Sequence, residues 1–211
     1  MANASGMKMQ TDFPVAAQSI GPGQRIGLLG GSFDPAHTGH VHISLEAIKR
    51  FDLDWVWWLV SPGNPLKDNG PVAMDRRLKR ARSLVHHPRI IVTDLETHLN
   101  TRYTARTLAA LTACYPRQRF VWLMGSDNLV QFHLWQDWRA VMEMMPVGVI
   151  SRPGTRMAAR RSPAARSYAR DRLRVMESHL LGRMEAPCWC LAEIPLDPSS
   201  SSAIRARGGW S

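Results

Sequence analysis

Two histidines, His37 and His40, stand three residues apart just after the glycine pair Gly30-Gly31 and the turn signal Asp34-Pro35. Arg25 to Leu29 reads as a short apolar strand, and Gly30-Gly31 lets the backbone turn sharply and approach a ligand without Cβ interference. From Thr38 or Gly39 onward, Val41, Leu45 and Ile48 recur at helical spacing, so a helix is expected to begin at the second histidine. Strand, glycine turn and helix start collect anions, through N–H groups with no partner in the helix and the positive end of the helix dipole. Both imidazoles can reach one anion there, which is phosphate chemistry. A surface pair or half of a metal site is the bland alternative. Neither the lysine phosphate loop nor the spaced glycines of the dinucleotide fingerprint is present.

A second cluster lies at the far end of the chain, Ser200-Ser201-Ser202-Ala203-Ile204-Arg205. Hydroxyls ahead of a short helix supply caps and donors, and an arginine in its first turn adds a fork for phosphate oxygens. By itself such a serine run reads as a flexible tail.

The elements that position these residues alternate regularly. Asp54 to Val60 is a continuous apolar run, as a strand covered on both faces reads. Further strands are expected at Arg89–Thr93, Arg119–Met124, Val147–Ile150 and Cys188–Ile194. Helices are expected at Met74–Val85, Thr104–Ala113, Asn128–Met145 (broken near His133) and Pro163–Leu181. The fold class is therefore α/β, a single doubly wound, Rossmann-like parallel sheet with helices on both faces. A loose tail is expected over 1–24 and one domain over 25–211. Ligands of such sheets bind beyond the strand C-termini, where strand order reverses. Gly30–His40, Ser61–Lys67, Gly125–Asp127 and Arg152-Pro153-Gly154 each follow a strand.

Composition narrows the setting. The three cysteines, Cys114, Cys188 and Cys190, argue against a disulfide framework and for a reducing, cytoplasmic compartment. No apolar stretch reaches membrane-spanning length, and the N-terminal segment does not read as a secretory signal. The net charge of +10 favours anionic partners, and arginines crowd the segment from Arg152 to Arg174. A basic nucleic-acid-binding protein is the competing class, but no recognised nucleic-acid motif surrounds those arginines.

The run Gly30-Gly31-Ser32-Phe33-Asp34-Pro35-Ala36-His37-Thr38-Gly39-His40 resembles the Gly-Gly-x-Phe-Asp-Pro-x-His-x-Gly-His signature of the nucleotidyltransferase superfamily. The C-terminal Ser201-Ser202-Ala203-Ile204-Arg205 is similar to its Ser-Ser/Thr-x-Ile/Leu-Arg signature. Between them, Tyr103-Thr104 with Thr107-Leu108, Gly125-Ser126-Asp127-Asn128-Leu129 with Phe132 and Trp135, and Arg152-Pro153-Gly154 resemble the bacterial nicotinate-nucleotide adenylyltransferases. The resemblance implies adenylyl transfer from ATP to nicotinate mononucleotide. Transfer of an adenylyl or cytidylyl group to another phosphorylated acceptor, such as nicotinamide mononucleotide or phosphopantetheine, is the alternative.

The resemblance also implies roles. Gly30, Gly31, Ser32 and Phe33 would form the backbone cradle, with His37 and His40 on the ATP phosphates. Lys67, Ser201, Ser202 and Arg205 would complete the phosphate end, His37, His40 and Arg205 carrying catalysis. Tyr103 and Thr104 would offer backbone groups to the nicotinate carboxylate. Trp135 would stack on the pyridine, Asp127 would reach a ribose hydroxyl, and Arg152 would lie near the substrate. Gly63-Asn64-Pro65-Leu66-Lys67 departs from the family's Pro-Pro-His-Lys-like stretch, which weakens the case for Lys67. Mg²⁺ is expected to arrive with ATP rather than in a protein cage. No specific nucleic acid and no membrane partner is expected. The acceptor phosphate is already an anion, so no protein base is required; positioning and charge neutralisation would do the work.

Overall fold

The computed structural model describes residues 20–63, 71–101, 103–194, 199–208 and 210. Six strands form one parallel sheet: β1 (Arg25–Gly31), β2 (Trp55–Val60), β3 (Ile90–Thr93), β4 (Arg119–Gly125), β5 (Val147–Ile150) and β6 (Trp189–Ala192). Their order is β3-β2-β1-β4-β5-β6. Register runs Leu28 beside Trp57 on one side and Trp122 on the other. Strand order therefore reverses between β1 and β4, and a crevice opens beyond their carboxyl ends.

Side chains alternate across this sheet, so each strand feeds two cores. Ile26, Leu28, Trp57, Phe120, Trp122, Val147 and Trp189 pack on one face. Leu29, Val56, Trp58, Val121, Leu123 and Cys190 pack on the other. The first face is covered by α4 (Thr104–Cys114), α5 (Ser126–Gln131), α6 (Trp138–Met144), α7 (Arg156–Arg160) and α8 (Pro163–Ser167), through residues such as Leu108, Leu129, Val141, Ala159 and Ala164. The second takes α1 (Thr38–Arg50) and α2 (Met74–Leu84), through Ile43, Ala47, Leu78 and Ala81. Two short helices remain, α3 (Leu95–His98) after β3 and α9 (Ser201–Ala206) near the C-terminus. The expected doubly wound sheet is what forms.

Three local expectations are corrected. Helix α1 begins at Thr38, two residues before the second histidine, because His37 itself is the N-cap. The expected helix over 128–145 is two helices parted by a tight 3₁₀ turn, Phe132–Leu134, with Asp137 at φ 55°. The expected helix over 163–181 breaks after Ser167. There β6 takes the backbone: Leu173 N–H donates to the Trp189 carbonyl at 2.8 Å, and Trp189 Nε1 donates to the Tyr168 carbonyl at 2.7 Å. These tertiary hydrogen bonds outweigh a weak helical preference. Arginines of this basic region are partly spent within the fold, Arg156 and Arg160 both meeting Glu193 and Arg172 lying over the Trp189 ring.

Residues 1–19 lie outside the described residues. From Gly21 the chain is tied to the start of β4, with Gly23 N–H donating to the Arg117 carbonyl at 2.8 Å and Gln118 Nε2 to the Gly21 carbonyl at 3.0 Å. Among the described residues no helix is long and apolar enough to cross a membrane.

Candidate active site

The crevice is built on the turn between β1 and α1. His37 is extended (φ −146°) and 96% removed from solvent, being 4% exposed. Its Nδ1 accepts from Gly39 N–H at 3.1 Å, while His40 Nδ1 accepts from His37 N–H at 3.2 Å. With both Nδ1 atoms acting as acceptors, the neutral rings carry their protons on Nε2. The two rings lie 4.0 Å apart between centroids. Burial first, then the neighbouring His37 ring and the Arg152 guanidinium, holds the His40 imidazole well below the ordinary histidine range. His40 is therefore a neutral hydrogen-bond donor in the free protein.

Beneath the pair, Phe33 stacks on Trp58 with centroids 4.9 Å apart and meets the His40 ring at 4.7 Å. Trp58 Nε1 donates to Ser44 Oγ at 2.7 Å, and Ser44 Oγ–H donates to the His40 carbonyl at 2.8 Å. A buried strand tryptophan thus fixes the first turn of α1. Phe33 adopts φ 46°, unusual for a bulky residue, and is held there by these contacts. Gly39 is dictated by space: a Cβ would stand 2.9 Å from the His37 ring and 3.4 Å from the Ser199 carbonyl oxygen. Gly30 has a different reason from the one its sequence suggests. A Cβ there would meet Trp122 Cη2 at 2.3 Å, so the missing side chain makes room for the core beneath rather than for a ligand above. Gly31 faces less crowded space.

The C-terminal cluster closes onto this turn, although 160 residues of chain separate them. Ser201 Oγ donates to the Pro35 carbonyl at 2.9 Å, and Thr38 Oγ1 shares a hydrogen bond with Ser199 Oγ at 3.0 Å. Ser200 caps α9 through Ala203 N–H. Arg205 Nη1 donates to the Asp34 carbonyl and Nη2 to Ser202 Oγ. Trp210 Nε1 donates to Asp34 Oδ1 at 2.7 Å, with the Arg76 guanidinium over its ring. The serine-arginine segment is thus an ordered wall of the crevice.

Across the reversal point, Arg152 extends from the end of β5. Its N–H donates to Ser126 Oγ at 2.8 Å and its Nη2 to the Ser199 carbonyl at 2.9 Å. Its Nε stands 3.9 Å from Asp127 Oδ1, a buried oxygen with no hydrogen-bond donor among the described residues. Arg152 therefore belongs with His40 and the serine segment rather than with Tyr103. Tyr103 is the N-cap of α4 and uses no side-chain cap, so among the described residues the amide end of that helix is left uncapped at Thr104. Trp135 is partly buried against the core, edge-on to Trp122 at 6.4 Å and Phe132 at 5.2 Å. Lys67 lies outside the described residues.

Two buried groups escaped the sequence reading. Arg77, 1% exposed, sits in an Arg/Lys-rich helix that reads as a solvated face; its one clue is Ala81 four residues on, which shares its buried side. Glu96, 5% exposed, accepts from Thr107 Oγ1 at 3.4 Å, and burial pushes its carboxyl up to about 7. Its Oε2 has no hydrogen-bond partner among the described residues.

Similarity to known proteins agrees with this geometry. Residues 28–207 match the cytidylyltransferase-like family model. The chain is 59% identical over 203 residues to a protein of Ruegeria pomeroyi named "probable nicotinate-nucleotide adenylyltransferase", covering 96% of this chain and 93% of that one. A protein of Roseobacter denitrificans with the same name is 57% identical, covering 96% and 100%. Among solved structures, the nicotinic acid mononucleotide adenylyltransferase of Plasmodium falciparum complexed with NaAD superposes with a TM-score of 0.64 at 18% identity, over 87% of this chain and 83% of that one, a likeness of fold. With relatives this similar along almost its whole length, the chain belongs to the nicotinate-nucleotide adenylyltransferase family.

Proposed function

We propose that this protein transfers the adenylyl group of ATP to the 5′-phosphate of nicotinate mononucleotide. A phosphate oxygen of the mononucleotide forms a bond to the α-phosphorus, the bond from that phosphorus to the β-phosphate oxygen breaks, and pyrophosphate leaves. The products are nicotinate adenine dinucleotide and pyrophosphate. The observation that carries the reading is the His37–His40 pair at the amino end of α1, walled by Ser199–Ser202 and Arg205 at the reversal point of the sheet.

The nucleophile is an anion at neutral pH, so the residues bind and orient rather than remove protons. Nε2–H of His40 donates to the phosphates and Arg205 serves the pyrophosphate end. Such donors act where charge grows during transfer, in a site that excludes water. The donor set fits a metal that comes with its ligand: among the described residues no three His, Cys, Asp or Glu side chains converge, and the Asp34 carboxylate is held by Trp210 and Arg205. Mg²⁺ carried by ATP would neutralise phosphate charge. Asp127 is assigned to a ribose hydroxyl, Trp135 to the pyridine ring, and the open amide end of α4 at Tyr103-Thr104 to the nicotinate carboxylate. Three free cysteines support assigning the reaction to a reducing compartment, the cytoplasm.

Pyrophosphate release with ATP, measured against nicotinate mononucleotide, nicotinamide mononucleotide and phosphopantetheine, tests the proposal. Helix-end N–H donors favour the acid, and an amide NH₂ facing them leaves groups unpaired. The acid is expected to be used with a kcat/KM at least about a hundredfold above the amide. Equal use of both overturns the carboxylate site, and preference for phosphopantetheine overturns the substrate.

A further inference from the structure

Arg77 is the most deeply buried cation of the described chain; the Asp34 carboxylate favours its charge from nearby without forming an ion pair with it. Three backbone carbonyls receive its hydrogen bonds. Its Nε donates to the Val72 oxygen at 2.6 Å, and its Nη1 donates to Ser32 and Ser61 oxygens, both at 2.7 Å. Ser32 follows β1, Ser61 follows β2, and Val72 precedes α2. One guanidinium therefore ties the loops beyond two neighbouring strands to the helix that covers them. The Ser61 N–H donates in turn to the Gly31 carbonyl at 2.9 Å, so the loop after β1 is stitched on consecutive peptides.

The stitch also fixes the other edge of the Ser32–Phe33 peptide. In a trans peptide the N–H points opposite to the C=O. With the Ser32 carbonyl turned onto Arg77, the Phe33 N–H is turned away from it. Phe33 holds φ 46° at this point, a conformation that a bulky side chain keeps only when its surroundings over-determine it. Stacking on Trp58 fixes the ring, whereas Arg77 fixes the peptide. A buried charge is expensive, and it is retained here where charge-assisted hydrogen bonds set a backbone direction.

We propose that Arg77 is a positioning residue of the nucleotide site, holding the Ser32–Phe33 peptide so that its N–H faces the ATP phosphates. The inference rests on the adenylyl-transfer reading for the identity of the ligand. Arg77 touches no substrate; it acts through the backbone. A lysine retains charge but lacks the planar fork that reaches three carbonyls from one position.

Arg77→Lys and Arg77→Gln, each checked for folding by circular dichroism, test the assignment. Binding of a non-hydrolysable ATP analogue and of nicotinate mononucleotide is measured separately by calorimetry, beside steady-state kinetics. Both variants are expected to bind the analogue at least about tenfold more weakly, with mononucleotide affinity within about twofold of wild type, and to raise the KM for ATP selectively. Unchanged analogue binding in Arg77→Lys, or an equal loss for both ligands, overturns the proposal. Failure of both variants to fold also overturns it, by making Arg77 a folding residue alone. If the wild-type protein binds the analogue but transfers nothing to the mononucleotide, the substrate reading fails while the analogue measurements still decide the role of Arg77.

Discussion

At His40 the imidazole does two jobs from opposite nitrogens. Nδ1 receives the His37 N–H and so completes the start of α1, which leaves Nε2–H as the donor for phosphate. Burial favours the neutral ring, in which Nδ1 remains free to accept and Nε2–H to donate. His40→Ala should lower kcat by about a hundred- to a thousandfold, the usual cost of removing one donor to growing charge. The lost cap contact should cost only about 1 kcal/mol of stability. Steady-state rates together with a melting curve check both halves. A folded variant with near wild-type turnover would remove His40 from catalysis.

The end of strand β1 shows how an element couples core to crevice. Gly30 belongs to the strand, and the space its side chain would occupy is filled by Trp122 of β4, whose ring in turn meets Trp135 edge-on. A methyl group at position 30 has to displace a nearly fully buried indole. Gly30→Ala is expected to destabilise the protein by about 1–3 kcal/mol, the range for overpacking a core. Because Trp122 leads to Trp135, the KM for the mononucleotide should rise more than that for ATP. Urea unfolding and the two KM values provide the measurement; an alanine variant as stable as the parent would mean that Trp122 yields freely.

Over the whole molecule, the buried carboxyl of Glu96 links folding to pH. It titrates at about 7 in the fold against an ordinary value of 4.5, because burial disfavours its charged form. A raised carboxyl pKa means that the folded state binds the proton more tightly. The corresponding stability is complete below about pH 4.5 and is lost as pH rises through about 7, amounting to about 3 kcal/mol. Glu96→Gln removes this titration. Urea unfolding at pH 5 and pH 8 should therefore show the variant gaining on the wild type as pH rises. Parallel pH dependences for the two proteins would exclude Glu96 as the source.

The local signals for strands, turns and phosphate-binding residues were legible because they repeat at short range. Alternation and apolar runs set the two-faced sheet, and the spacing from Gly30 to His40 placed both histidines at a helix start. Short-range pattern also marked Ser201, Ser202 and Arg205 as a possible tail or wall. Only the tertiary structure made them a wall, through hydrogen bonds to Pro35 and Asp34. The same holds for the break after Ser167, where β6 competes for backbone that would otherwise continue a helix. Arg77 and Glu96 were hidden for a related reason. A charged residue in a polar helix is read as solvated, and burial is a property of what packs against it. Sequence determines which groups can bind phosphate; the long-range packing decides which of them are held, buried and aimed.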